Sequence, residues 1–224
     1  MSDVSIIVPV FGPEHFLTAC LSAIASNTIG HELILVDNAT RYDMSADVVI
    51  RNDANKGFAI ACNQGANAAT SDILLFLNVD TEVQSGWLPP LLAAFDDHEI
   101  AMVGPKIIHP DQSLQTSGIR TWHGNGNAGG EELKDASPSR DVDGVTGACM
   151  AIKRDVFNAV GGFHEGYWNG YDDVDLCLTV RSLGHRIRYV AESTIVHHES
   201  ATGPERWTHC YDNIALMNQR WGAR

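Results

Sequence analysis

Asn78-Val79-Asp80 closes the apolar run Ile73-Leu74-Leu75-Phe76-Leu77. A carboxylate at the end of such a run stands at the lip of a sheet. One Asp there can bind a hard cation while phosphate oxygens and water complete its coordination. The same residue type also opens turns, so this position alone serves either purpose. Tyr171-Asp172-Asp173-Val174-Asp175 places three acids within four positions. Acids at a helix start complement the macrodipole and cap free N–H groups. Three exceed what a cap needs, and crowding raises their proton affinity, which suits a general base for a hydroxyl. His197-His198 follows the apolar Thr194-Ile195-Val196, where a neutral imidazole can add a nitrogen ligand to a metal or serve structure alone. Asn55-Lys56-Gly57-Phe58, followed by Ala61, Asn63 and Gly65, lets backbone approach a ligand closely where a helix begins and N–H groups favour anions. It lacks P-loop spacing, and no GxGxxG follows the first strand-like run, which weakens a dinucleotide oxidoreductase reading.

These groups need elements that bring them together. Ser5 to Val10, Glu32 to Asp37, Asp47 to Ile50 and Asp72 to Leu77 read as strands. They alternate with helical patterns over Phe16 to Ile24 and Phe58 to Ala69. That order predicts an α/β fold, a doubly wound and mostly parallel sheet with ligands at the carboxyl ends of its strands. Asp37-Asn38 and Asn78-Val79-Asp80 fall at such ends. Further on, Ala101 to Gly104, Lys106 to Ile108 and Val145 to Ile152 read as short strands of a mixed section. A helix is expected from about Arg154 and another over Asp173 to Leu183, closed by Gly184. Arg186 to Val190 and Thr194 to Val196 read as strands, and Trp207 to Trp221 as a terminal helix. Trp122 to Arg140, rich in Gly, Asn, Ser and charge, reads as a long loop, either a functional lid or disordered. Without repeats or an interdomain linker, one domain over residues 1–224 is expected.

Bulk properties narrow the partners. The 224 residues carry a net charge of −13, with 44% hydrophobic and 19% charged residues. Such acidity argues against general nucleic-acid binding, though a metal can supply positive charge locally for a phosphorylated ligand. No run reaches the roughly 18 apolar residues of a membrane span. The start lacks a basic leader, and a peripheral membrane contact stays open. Five dispersed cysteines form no CxxC pair and read as reduced core thiols, consistent with a cytoplasmic location.

Taken in order, these segments resemble the inverting family 2 glycosyltransferases of GT-A fold, closest to their bacterial rhamnosyltransferase-like branch. The matching stretches are Ser5 to Val10, Val36-Asp37-Asn38, Asn55 to Phe58 with Asn63, and Leu77 to Thr81. They continue with Gly147 to Ile152, Gly161-Gly162-Phe163, Tyr171 to Cys177, Gly184 and His197 to Ser200. The resemblance implies a nucleotide-diphospho-sugar donor and a glycan or lipid-linked glycan acceptor. It implies a donor-binding half over residues 1–100 and an acceptor-binding, catalytic half over 101–224. By the same resemblance Pro9 and Val10 line the base pocket, and Asp37 bonds the base or ribose. Lys56, Gly57 and Asn63 shape the nucleotide pocket. Asn78 and Asp80 stand in the metal motif, with Asp80 the principal ligand of Mn²⁺ or Mg²⁺ and His197, rather than His198, the second. Asp173 is implied as the catalytic base, with Asp172 beside it on the acceptor side. Departures are Asn78 for the first acid of the metal motif, Asp172 for Glu, Val79 for Pro, Phe11-Gly12 for Tyr-Asn, and no Asp after Phe163.

Trp168 suits either stacking on an acceptor sugar or ordinary packing. Two other classes compete. A non-catalytic nucleotide-sugar-binding module would not need Asp80, Asp173 and His197 together. A nucleotidyltransferase would need a basic, glycine-rich loop after the first strand, where this chain has Phe11-Gly12-Pro13-Glu14.

Overall fold

The structure, a computed structural model, describes residues 3–135, 138–199 and 208–223. Ser200 of the His197 motif and Trp207, the expected start of the terminal helix, lie outside them.

The first half follows the predicted alternation: β1 (Val4–Val10), α1 (Glu14–Asn27), β2 (His31–Asn38), β3 (Val48–Asn52), α2 (Phe58–Ala68) and β4 (Ile73–Leu77). Every residue of β1 is buried, as a parallel strand covered on both faces requires. Val4, Ile6, Val8 and Val10 pack into the core layer beneath α1, while Ile7 joins the layer beneath α2. In α1, Leu17, Cys20 and Ile24 form the buried stripe. In α2 the buried residues are small, and a Cβ at Gly65 would meet the Ile7 side chain at 2.4 Å. Gly65 is therefore what lets this helix lie close on the sheet.

The second half comprises β5 (Thr81–Val83), α3 (Leu88–Ala93), β6 (Ile100–Ile108), β7 (Leu114–Thr116), β8 (Ile119–Gly124), β9 (Asn127–Glu132) and β10 (Arg140–Val142). It ends with β11 (Cys149–Lys153), α4 (Arg154–Val160), α5 (Asp172–Ser182), β12 (Arg186–His197) and α6 (Cys210–Trp221). One ten-stranded sheet carries strands from both halves in the order β10-β12-β6-β11-β4-β1-β2-β3, with β5 on β12 and β7 on β6. Strands β1 to β4 and the β6–β12 pair run parallel, while β11 lies antiparallel between β4 and β6.

Four expectations change. The two short strands on either side of Pro105 are one nine-residue strand, β6. Its partner β12 likewise runs through Ala191-Glu192-Ser193, absorbing them in a register shift between Val190 and Thr194. The expected long loop from Trp122 is largely a β-hairpin, β8–β9, turned at Asn125-Gly126. Both turn residues have positive φ, 52° and 85°, the backbone of a two-residue Asn-Gly hairpin turn. The glycines of β9 account for its weak strand signature. A Cβ at Gly129 would meet Trp122 at 2.8 Å, and one at Gly130 would meet Ile119 at 2.9 Å. Finally, the strand expected from Val145 begins only at Cys149, which leaves Thr146-Gly147-Ala148 as a turn at the carboxyl end of β4.

Candidate active site

The carboxyl ends of β1, β2 and β4 open into a cavity lined by Pro9, Phe11, Asn38, Asn78, Val79 and Asp80. A second wall brings Thr146-Gly147-Ala148 and Asn169 to Asp173, and Gln115, Glu132, His197 and Glu199 complete the lining. Of the residues anticipated from sequence, Pro9, Asn78, Asp80, Asp172, Asp173 and His197 meet here.

Asp80 and His197 are joined by strand register. Asp80 directly precedes β5, His197 ends β12, and the antiparallel ladder pairs Thr81 with His197. Asp80 Oδ1 then stands 3.3 Å from His197 Nε2, both side chains almost fully buried. The turn before β5 is held by its own backbone. Asn78 N donates to Ala148 O at 2.9 Å, and Thr81 Oγ1 donates to Asn78 O at 2.7 Å. His198 points elsewhere and pairs with Glu82 at 2.7 Å, which separates the two histidines. A carboxylate oxygen and an imidazole nitrogen side by side fit a divalent cation that draws its remaining ligands from phosphate and water. Among the described residues no group of three His, Cys, Asp or Glu is arranged to hold a metal.

Asp173 comes from the other wall. The chain enters α5 through Asn169 and Tyr171, both with positive φ, which turns the helix start toward the cavity. Asp172 Oδ1 accepts from the backbone N of Asp173, and Asp173 Oδ1 accepts from Val174 N. Asp173 Oδ2 accepts from Gly147 N at 2.9 Å, so the carboxylate bridges the helix start and the 146–148 turn. The three neighbouring acids do not act as one crowded group. Asp175 turns inward and is neutralised by Arg220 at 2.6 Å, with Trp221 Nε1 and the Tyr167 hydroxyl also donating to it. Burial and the adjacent Asp175 push the Tyr167 phenol well up, so it remains a neutral donor.

Several anticipated residues are not in the cavity lining. Val10 faces the core beneath α1. Asp37 is occupied: Thr40 N, Thr40 Oγ1, Arg41 N and Arg51 Nη1 all donate to its carboxylate, and Asn38 takes the cavity position. Asn63 brackets the Gly162-Phe163 turn, donating to Phe163 O and accepting from Phe163 N. Lys56 is exposed at the rim. Gly57 lies under the Trp168 ring, where a Cβ would come within 3.3 Å of Cε3, so Trp168 packs on protein. The α2 helix start, read as anion-binding, has its Phe58 N–H taken by Asn169 Oδ1 at 3.0 Å.

Gln115, Glu132 and Glu199 were not anticipated. Burial pushes the Glu132 carboxyl up, Glu199 and Asp173 add repulsion, and a hydrogen bond from Gln115 opposes the rise. The residues of β9 lack the alternation of a strand, and only the Asn125-Gly126 pair marks the hairpin that delivers Glu132. All five cysteines are free thiols; Cys20, Cys62, Cys149 and Cys177 are buried, and burial raises their pKa, as core thiols should behave. Among the described residues no helix is long and apolar enough to cross a membrane.

The profile described as Glycosyl transferase family 2 matches residues 5–161. The O-antigen biosynthesis protein RfbC of Myxococcus xanthus is 31% identical over 223 residues, covering 89% of this chain and 17% of that protein. Among solved structures, GalNAc-T7 with UDP, GalNAc and Mn²⁺ superimposes with a TM-score of 0.68 at 18% identity, covering 88% of this chain and 44% of that one. The mannosyltransferase PcManGT of Pyrobaculum calidifontis, with GDP-Man and Mn²⁺, gives 0.63 at 16% identity, covering 96% and 62%. Both share the GT-A fold seen here. The chain spans less than half the length of the curated relatives it matches.

Proposed function

The chain belongs to glycosyl transferase family 2 and is a glycosyltransferase, and from that premise we propose that it moves a sugar from a nucleoside-diphosphate donor to a hydroxyl acceptor with inversion. The observation that carries this reading is the meeting in one cavity of Asp80 paired with His197 and of Asp173 from the start of another element. Inversion uses both, because the acceptor hydroxyl gives up its proton as it attacks the anomeric carbon opposite the leaving diphosphate.

In this reading residues 1–100 hold the donor and 101–224 supply the acceptor side and the base. Pro9, Phe11 and Asn38 receive the nucleoside, and Asn78 and Asp80 face the diphosphate. Asp80 and His197 hold Mn²⁺ or Mg²⁺, which when bound offsets the charge developing on the departing diphosphate. Asp173 takes the acceptor's hydroxyl proton; hydrogen bonds from Gly147 N and Val174 N fix its direction, and each oxygen has a second lone pair for that proton. Asp172 anchors the helix start that presents it. The solved structures in complex with UDP and with GDP-Man support a nucleotide-sugar donor, and RfbC supports a polysaccharide or lipid-linked glycan acceptor.

A thermal-shift screen of UDP-, GDP- and dTDP-sugars with and without Mn²⁺ tests the donor reading. One nucleotide class should stabilise the protein, and only with metal. The anomeric configuration of the product, read by NMR, tests inversion; retention would overturn it.

A further inference from the structure

The two ring nitrogens of His197 have different neighbours. Nε2 faces Asp80 Oδ1 at 3.3 Å, and Nδ1 lies 3.0 Å from Gln115 Oε1. Gln115, on β7, is 3% exposed and lines the same cavity. An amide oxygen only accepts, so this contact requires hydrogen on Nδ1.

We propose that Gln115 is a positioning residue that keeps a hydrogen on His197 Nδ1 and so presents Nε2, beside Asp80, to a divalent cation. This rests on the reading of Asp80 and His197 as the cation ligands. Without the Gln115 oxygen, the ring's remaining partner among the described residues is Asp80, and a charged acceptor draws the N–H to itself. A neutral ring would then carry its hydrogen on Nε2, and the two donor atoms meant for a cation would be bonded to each other. With Gln115 in place, the Nδ1 hydrogen is engaged whether the ring carries one hydrogen or two. The Nε2 edge is left to exchange a proton for a metal. Groups at this remove typically alter metal affinity about 10- to 100-fold.

The test uses the full chain, labelled with ¹⁵N and free of metal. Long-range ¹H–¹⁵N correlations of the His197 ring, assigned with a His197→Gln variant, should place Nδ1 in the protonated range. In Gln115→Leu the neutral ring should move its hydrogen to Nε2, and Mn²⁺ affinity measured with UDP present should fall about 10- to 100-fold. Gln115→Glu, which keeps an acceptor at Nδ1, should keep the Nδ1–H signal and also decides the matter if the Leu variant does not fold. An unprotonated Nδ1 in the neutral ring of the wild type overturns the proposal, as does a Gln115→Leu protein with unchanged ring signals and unchanged Mn²⁺ affinity. A wild-type protein that binds no Mn²⁺ with UDP, with GDP or with dTDP overturns the cation-ligand reading and this proposal together. Tight Mn²⁺ binding by a wild-type ring that carries its hydrogen on Nε2 before metal is added overturns this proposal alone.

Discussion

The carboxylate of Asp173 is tied by Oδ2 to the backbone N–H of Gly147, 26 residues away in sequence and 2.9 Å away in space. Gly147 has little room for anything larger, since a Cβ there would stand 3.2 Å from Phe58 and 3.5 Å from the Asp173 Cβ. The proposed base is thus aimed by a backbone donor that does not titrate and cannot rotate away.

Replacing Asp173 by Asn removes the proton acceptor while keeping the shape. Transfer should fall by about 10²- to 10⁴-fold, the usual contribution of a positioned base. Calorimetric affinity for the donor nucleotide with Mn²⁺ should stay near wild type. Donor affinity that collapses along with turnover would mean Asp173 belongs to the donor site instead.

For Asp80→Ala, Mn²⁺-dependent nucleotide binding should be lost, and adding chelator should produce no further change. His197→Ala should weaken the same binding but less completely, since one carboxylate with phosphate oxygens still forms a site. Wild-type affinity in Asp80→Ala would rule out this metal position.

Asp175 is 2% exposed and depends on Arg220, Trp221 and Tyr167. Arg220→Met would leave its charge buried with two neutral donors. Removing one partner of such a pair costs about 3 kcal/mol, read as a lowered urea midpoint. Asp175 and Arg220 are outside the cavity lining, so nucleotide affinity at temperatures where the variant is folded should change little.

Glu32 gives the fold a dependence on acid. Burial alone would raise its carboxyl, but hydrogen bonds from Ser5 Oγ and from the backbone and hydroxyl of Thr70 outweigh that and hold its pKa below the usual range. The ionised form is the one the fold favours. Its stabilisation is therefore full above the unfolded carboxyl pKa, about 4.3, and is lost as pH falls through the lower folded value. Glu32→Gln should cost about 1.5 kcal/mol at neutral pH, and the difference from wild type should shrink steadily in urea titrations below that pH. A difference independent of pH would show that packing, not charge, holds the β1–β2 base.

The donor half was largely legible from sequence because buried parallel strands announce themselves. Val4 to Val10, Glu32 to Asp37 and Ile73 to Leu77 are apolar runs whose polar ends fall in the cavity or beside it. Interrupted strands were less legible. Gly104-Pro105 and Ala191-Glu192-Ser193 look like breaks, yet both lie inside long strands where tertiary pairing overrides local preference. The hairpin was hidden by composition, since Gly129 and Gly130 are there to admit Trp122, Ile119 and Val174. Gln115 and Glu132 were illegible for a related reason: their place in the cavity depends on β7 and β9 folding back on β6 and β8, pairings that the short β7 and the glycine-containing β9 hardly signal. Asp37, Asn63 and Trp168 show how little residue type alone says about a partner. Asp37 and Asn63 were read as ligand-facing and Trp168 as suited to either stacking or packing, and the hydrogen bonds and packing they make here are with the protein itself.

The β8–β9 hairpin is also fastened at its tip. Gly126 N donates to Gly222 O, and Ala128 N donates to Asn218 Oδ1. Ile119 and Ala128 share one apolar cluster with Tyr167, Met217 and Trp221. A segment expected to be a long loop, either a lid or disordered, is instead largely a strut, clamped at one end to α6 and carrying Glu132 at the other. Mechanically, this side of the cavity is a template more than a door. Strain applied at α6 would be transmitted along the hairpin to the cavity wall instead of being dissipated in slack chain.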